Sequence, residues 1–161
     1  MLGDAPILQG RYLMELFVFS SKTLTNIWAG IGARKWAVSQ DQAANPGIIT
    51  KAKALRIGSL GILYCVETQS LTTPFIVAST PDEGVIVRNI WPEEWKLPFD
   101  IYPLGSPEKQ MEKTDIANLP VVRNSGSQWN NVIRTQGQFA FQPTVIDGED
   151  WSILFQQLSS H

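Results

Sequence analysis

The chain predicts an α+β fold: a curled mixed β-sheet or small barrel, flanked by short helices and ending in an amphipathic helix. Three observations carry this. Five or six short apolar runs, most of them bounded by Gly, Pro or Ser, read as strands. Two of them, 60–67 and 73–79, are separated by a connection of hairpin length. The last segment repeats apolar residues at the i, i+3, i+4, i+7 spacing of a helix face. At 161 residues the chain suits a single domain with a sizeable core. Residues 11–161 are read as that domain, and 1–10 as a loosely tied N-terminal arm.

The elements follow in order. Residues 12–19 (YLMELFVF) lie between Gly10 and Ser20-Ser21 and read as a buried strand. The stretch 20–47 has no clean period and reads as functional loops with short helical turns. Residues 48–55 (IITKAKAL) form a short helix that ends near Gly58. The hairpin pair 60–67 (LGILYCVE) and 73–79 (TPFIVAS) comes next, then a short strand at 85–87. Residues 99–102 (FDIY) are a strand closed by Pro103 and Gly105, and 114–119 a helical turn. Residues 121–135 mix apolar residues with Asn, Ser and Gly, and 138–142 (QFAFQ) alternates as a half-buried strand would. The final helix starts at Asp147 or Gly148, with Glu149 and Asp150 at the positive end of its dipole. Trp151, Leu154, Phe155 and Leu158 form its apolar stripe.

Composition excludes several functions. The net charge is −2, which rules out a generally basic nucleic-acid coat but not a local basic patch. The one histidine is His161 and the one cysteine Cys65, so no zinc site is expected, and no Ser-His-Asp or Cys-His arrangement. No cofactor is implied. A lone cysteine fits a reducing, cytoplasmic setting. Residues 1–10 lack the features of a secretory signal. No apolar run approaches membrane-spanning length, so no membrane partner is expected. Gly30-x-Gly32 is too short for a phosphate loop. An enzyme would have to rest on the carboxylate pairs Glu93-Glu94, Asp82-Glu83 and Glu149-Asp150. Adjacent carboxylates on a loop usually diverge, and the last pair is explained by the helix start.

The tryptophans point elsewhere. Six are present, at 28, 36, 91, 95, 129 and 151. Trp151 opens the helical stripe and reads as structural. Trp28 sits in TNIWAGIGARKW, and Trp91 and Trp95 in RNIWPEEWKLPFD, segments rich in Asn, Gly, Pro and Glu. Aromatics on such loops either pack the loop or bind flat or cationic ligands. Trp36 and Trp129 fit a pocket or a core equally well.

These segments resemble a known family. The tract 91–101 (WPEEWKLPFDI) is similar to the part of YTH and EVE domains that brings aromatic residues to a base pocket. Trp95-Lys96, then Phe99-Asp100-Ile101, follows the YTH order of Trp, Lys, Phe-Asp and an apolar residue. Asn26-Ile27-Trp28 resembles the Asn-Val-Trp that carries the first cage tryptophan, and 28–34 the Trp-x-Gly-Val-Arg loop of EVE domains. Ile57-Gly58 with LGILYCVET is similar to the family's Val-Gly-Asp strand. Residues 138–154 (QFAFQPTVIDGEDWSIL) resemble the EVE terminus, where Gln-Pro-Val leads into a Glu-Trp helix. Together these motifs span about residues 12–158. The resemblance implies the PUA-like fold, in agreement with the pattern of strands and helices.

The resemblance also implies a function: a non-catalytic reader that holds a modified base, flipped out of its stack, in an aromatic cage. Trp28, Trp91 and Trp95 would form the cage walls. Base–aromatic stacking is worth about 1–3 kcal/mol per base and offsets the few kcal/mol lost on flipping. One buried methyl adds only about 0.8 kcal/mol, so polar groups must read the base edge. Ser20, Ser21 and Asn26 are candidates, though each can equally serve a strand end or turn. Arg34, Lys35, Lys53, Arg56 and Arg123 are the candidate phosphate contacts, with solvated surface as their ordinary role. The implied target is DNA carrying 5-methylcytosine, 5-hydroxymethylcytosine or N6-methyladenine, in a modification-dependent restriction setting with a separate or fused nuclease or NTPase effector. An RNA reader of N6-methyladenine, or of modified transfer RNA, is the alternative. A protein-interaction module around Trp129-Asn130-Asn131, without nucleic-acid affinity, is a further one.

Overall fold

The computed structural model describes residues 7–8 and 11–160. Most of the segment read as an arm lies outside the described residues, as does His161. The arm's Ile7–Leu8 forms β1, antiparallel to the start of β2, Arg11–Ser21. The segment 20–47, expected as loops, is largely regular: α1 (Leu24–Ala33), β3 (Lys35–Ser39), α2 (Gln40–Ala43) and the start of α3 (Pro46–Lys53). Its helices are short and their caps come from local side chains. Thr23, Ser39 and Asn45 each accept a hydrogen bond from a first-turn backbone N–H. A run built this way shows no long period.

β4 (Leu60–Cys65) and β5 (Ser70–Val77) form the expected hairpin. Next come β6 (Ile86–Val87), β7 (Trp95–Pro103), β8 (Gln110–Glu112), α4 (Lys113–Ala117), α5 (Pro120–Arg123) and α6 (Trp129–Val132). The last elements are β9 (Pro143–Asp147) and α7 (Gly148–Leu158). The strands form an open mixed sheet in the order β1-β2-β4-β5-β7-β3, with β9 on β2, β8 on β5 and β6 on β7. Only the β2–β4 pair among them is parallel, because α1, β3, α2 and α3 carry the chain between these two strands. The fold class is therefore α+β, as expected.

The sheet is covered on both faces, which explains the unbroken apolar runs. Phe17 and Phe19 of β2 join Leu63, Cys65, Phe75, Trp36 and Phe99 in one core. Leu16 and Val18 point the other way, to Ile62, Tyr64, Leu71, Met111 and the helix residues Leu154 and Leu158. Two cores thus replace the single one expected. Gly61 is part of this packing. A Cβ there would overlap the Phe75 ring on the paired strand. Gly61→Ala is expected to destabilise the fold by about 1–3 kcal/mol, measured by urea unfolding; an unchanged midpoint would contradict this packing.

Two expectations fail near the C-terminus. Residues 138–142 are not a strand but a 3-10 turn (Gly137–Phe139) followed by Ala140 and Phe141, both buried. Phe141 takes a left-handed backbone, φ 63°, which breaks the alternation and turns two consecutive side chains inward. The strand of this region is β9, whose Thr144 and Ile146 are buried and whose Val145 is exposed. In α7 the buried line is Asp150, Leu154 and Leu158, while Trp151 is only half-buried and Phe155 lies toward solvent. The stripe is rotated by one position because Asp150 serves the fold: its carboxylate accepts from Asp147 N–H at 3.0 Å and Val121 N–H at 2.9 Å.

Candidate functional site

β2, α1, β3 and the start of β7 converge at one edge of the first core. Ser20 and Ser21 end β2, and Ser21 Oγ interacts with the Thr23 backbone as the chain turns into α1. Thr23 caps the helix through Asn26 N–H. Gly30 lets α1 lie directly on Trp36: any Cβ there would run into the indole and the Lys35 carbonyl. Arg34 closes α1 in the left-handed conformation, φ 53°, and sends the chain straight into β3. β3 pairs with β7 across a bulge, since Trp36 opposes Phe99 but Val38 opposes Lys96. The extra β7 residue bends the strand at Leu97, φ 58°, so that Trp95 faces Trp36.

Three indoles meet here. Trp91 and Trp95 are stacked, with centroids 4.3 Å apart and planes 12° from parallel. Trp36 stands nearly perpendicular to both, 5.6 Å from each. All three are buried. Trp91 Nε1–H donates to the Asn26 carbonyl at 2.9 Å. Trp95 Nε1–H is buried and has no partner. Such a donor is costly unless something accepts from it.

A pocket of about 610 Å³ opens beside this cluster. This is within the usual range for small-molecule sites. Phe19, Trp36 and Trp95 provide its aromatic lining, and Ser20, Ser21 and Asn26 its polar wall. Ser39, Gln40, Asp41 and Gln42 from β3 and α2, Glu93 and Glu94 before β7, and Gln136 close its rim. Gln40 Nε2 donates to Glu94 at 3.0 Å, and Arg88 pairs with the same carboxylate at 2.6 Å. The loop carrying Trp91 is thereby tied to α2 on one side and to its own start on the other.

The structure gathers part of the predicted site and disperses the rest. Ser20, Ser21, Asn26 and Trp95 share the pocket. Trp91 does not line it but backs Trp95, and the two rings in contact leave no slot between them for a base. Trp28 lies outside the lining, 45% exposed on the outer side of α1, where the neighbouring Ile27 is the buried residue. Trp36, left undecided by the sequence, takes the place expected for Trp28. Its position in β3 makes it both core and pocket, and nothing in its immediate neighbours separates the two. Trp129 goes to the second core, tilted against Tyr64 at 5.8 Å.

The predicted phosphate contacts lie elsewhere. Lys35 pairs with Asp100 at 2.6 Å, Lys53 with Glu83 at 3.4 Å, and the Arg34 guanidinium sits 6.0 Å from the Tyr102 ring. Arg56 and Arg123 are exposed and also outside the lining. Lys22 is the one cation among the pocket residues. Four of the six carboxylates weighed for catalysis are engaged in structure: Glu94 with Arg88, Glu83 with Lys53, Asp82 with Gly84 N–H, and Asp150 in the helix cap. Among the described residues no group of His, Cys, Asp and Glu is placed to hold a metal, and no helix is long and apolar enough to cross a membrane.

No family model matches the sequence, and no curated protein matches it significantly. Solved structures do match its fold. The YTH domain of Toxoplasma CPSF4, in apo form, aligns with a TM-score of 0.60 at 16% identity, over 92% of this chain and 89% of that one. The YTH domain of Zygosaccharomyces rouxii MRB1, in complex with N6-methyladenosine RNA, gives 0.61 at 14% identity, over 91% and 90%. The Pho92 YTH domain, in complex with N6-methyladenosine, gives 0.60 at 11% identity, over 97% and 88%. The chain has the fold of YTH domains, as the sequence motifs imply.

Proposed function

We propose that this chain is a non-catalytic reader of a methylated base in RNA, which it takes into the pocket beside Trp36 and Trp95. The observation that carries the reading is the Trp95 Nε1–H, buried without a partner in a residue that lines a pocket of nucleobase-binding size. A base edge that reaches it would offer the acceptor this donor lacks. Ser20, Ser21 and Asn26 offer further polar contacts on the adjoining wall. Both complexes named above with N6-methyladenosine share this fold, which favours RNA over the DNA of a restriction setting.

The test is calorimetric titration with short RNAs that differ by one methylated base, alongside DNA of the same sequence. Binding of the methylated RNA in preference to its unmodified form and to DNA is the expected result; equal binding of all three would remove the reading. Trp95→Phe keeps an aromatic wall and deletes the donor. The variant is expected to bind the methylated RNA about 2–10-fold more weakly, the equivalent of one hydrogen bond. Unchanged affinity in a variant shown to be folded by circular dichroism would take the donor out of the site.

A further inference from the structure

The pocket that would receive the base is negatively charged. Its lining holds Asp41, Glu93 and Glu94 against Lys22. Glu94 is neutralised by Arg88, which lies outside the lining. Asp41 and Glu93 are both exposed at the rim and make no ion pair with a described residue. Lys35 and Lys53 lie outside the lining and are held by Asp100 and Glu83. A rim of this sign repels phosphates and favours a cation at the mouth. Below it, indole rings add attraction for positive charge through their π faces.

We propose, building on the base-binding reading above, that the pocket selects a methylated base that itself carries positive charge. Methylation of a ring nitrogen that carries no hydrogen produces such a base, as at N1 of adenine or N7 of guanine, whereas methylation of an exocyclic amine leaves the base neutral. The rim carboxylates and the indoles then act on the same charge. The size of the pocket discriminates against the other class of methylated cation. A quaternary ammonium, such as trimethyl-lysine, would leave most of a 610 Å³ pocket empty. A purine cation fills more of the space and presents acceptor atoms on its edge.

The experiment is isothermal titration at low salt and slightly acidic pH. The ligands are the nucleosides 1-methyladenosine, 7-methylguanosine, N6-methyladenosine, adenosine and guanosine, the same bases within short RNAs, and a trimethyl-lysine peptide. At least one of the two charged nucleosides is expected to bind about tenfold tighter than every neutral one. Comparing each nucleoside with its RNA shows whether the base is taken free or from a chain. In the double variant Asp41→Asn, Glu93→Gln the preference for the charged base should shrink to near unity. N6-methyladenosine binding as tightly as the charged nucleosides would overturn the charge proposal and leave the base reader standing. A preference that survives the double variant would overturn its electrostatic origin. Tighter binding of the trimethyl-lysine peptide would overturn it in favour of a protein ligand. Absence of binding by every nucleoside and RNA would remove the base reader itself, and this proposal with it.

Discussion

Trp36→Ala is expected to lower the unfolding free energy by about 3–5 kcal/mol, the range for deleting a large buried aromatic. Trp36 is 1% exposed and meets both Trp91 and Trp95 at 5.6 Å. Gly30 leaves its backbone open to the ring, so no side chain at that position can fill the space. The cavity would fall where the pocket lining meets the first core, and ligand binding should be lost together with stability. Urea unfolding of the variant measures the first effect. A loss below about 1 kcal/mol would mean that the three-indole cluster collapses around the gap and is not a rigid lining. Trp36→Phe, which retains a ring, should recover most of the stability and separates packing from recognition.

Asp150→Ala is expected to destabilise the protein by about 2–4 kcal/mol, because two backbone N–H groups lose their acceptor in poorly hydrated surroundings. Those groups belong to Asp147 and Val121, so one carboxylate joins α7 to α5 and closes the capping box with Asp147. Burial raises the Asp150 pKa above the ordinary 3.8, and the N–H donors of Val121 and Asp147 oppose this only in part. With the folded pKa above the unfolded one, the folded chain holds this proton to higher pH. The resulting stabilisation is full below the ordinary carboxylate value and is lost as pH rises through the raised one. In Asp150→Asn the group no longer titrates. The stability of the native protein relative to this variant should therefore decline over that window. Parallel stability curves would show that Asp150 titrates alike in both states.

The predicted fold rested on signals that are local by nature. The unbroken apolar run of β2 and the hairpin of β4 and β5 depend on neighbouring residues and turn spacing, and both survive in the structure. The same holds for α7, whose start at Asp147 or Gly148 was readable from its acidic first turn and falls at Gly148, with Asp147 as the cap. Where the reading failed, a single backbone angle or a distant partner was responsible. Phe141 in a left-handed conformation undid the strand expected at 138–142. Asp150 moved to the buried line of α7 because Val121, far along the chain, supplies a donor.

The site divides in the same way. The sequence pointed to aromatic loops, because indole-rich segments and their order along the chain are written in it, and base reading was what the family resemblance implied. The sequence also located Ser20, Ser21, Asn26 and Trp95, which do share one pocket. Which indoles line that pocket was decided by packing. Trp28 faces outward from α1, Trp91 is stacked behind Trp95, and Trp36 is brought in by the β3–β7 bulge. Charge was decided there too. Lysines that look free in one dimension are paired with Asp100 and Glu83 across the fold, while Asp41 and Glu93, far apart in the chain, line the same pocket. Periodicity is a property of neighbours in the chain, but ring stacking and local potential depend on distances between residues far apart in it.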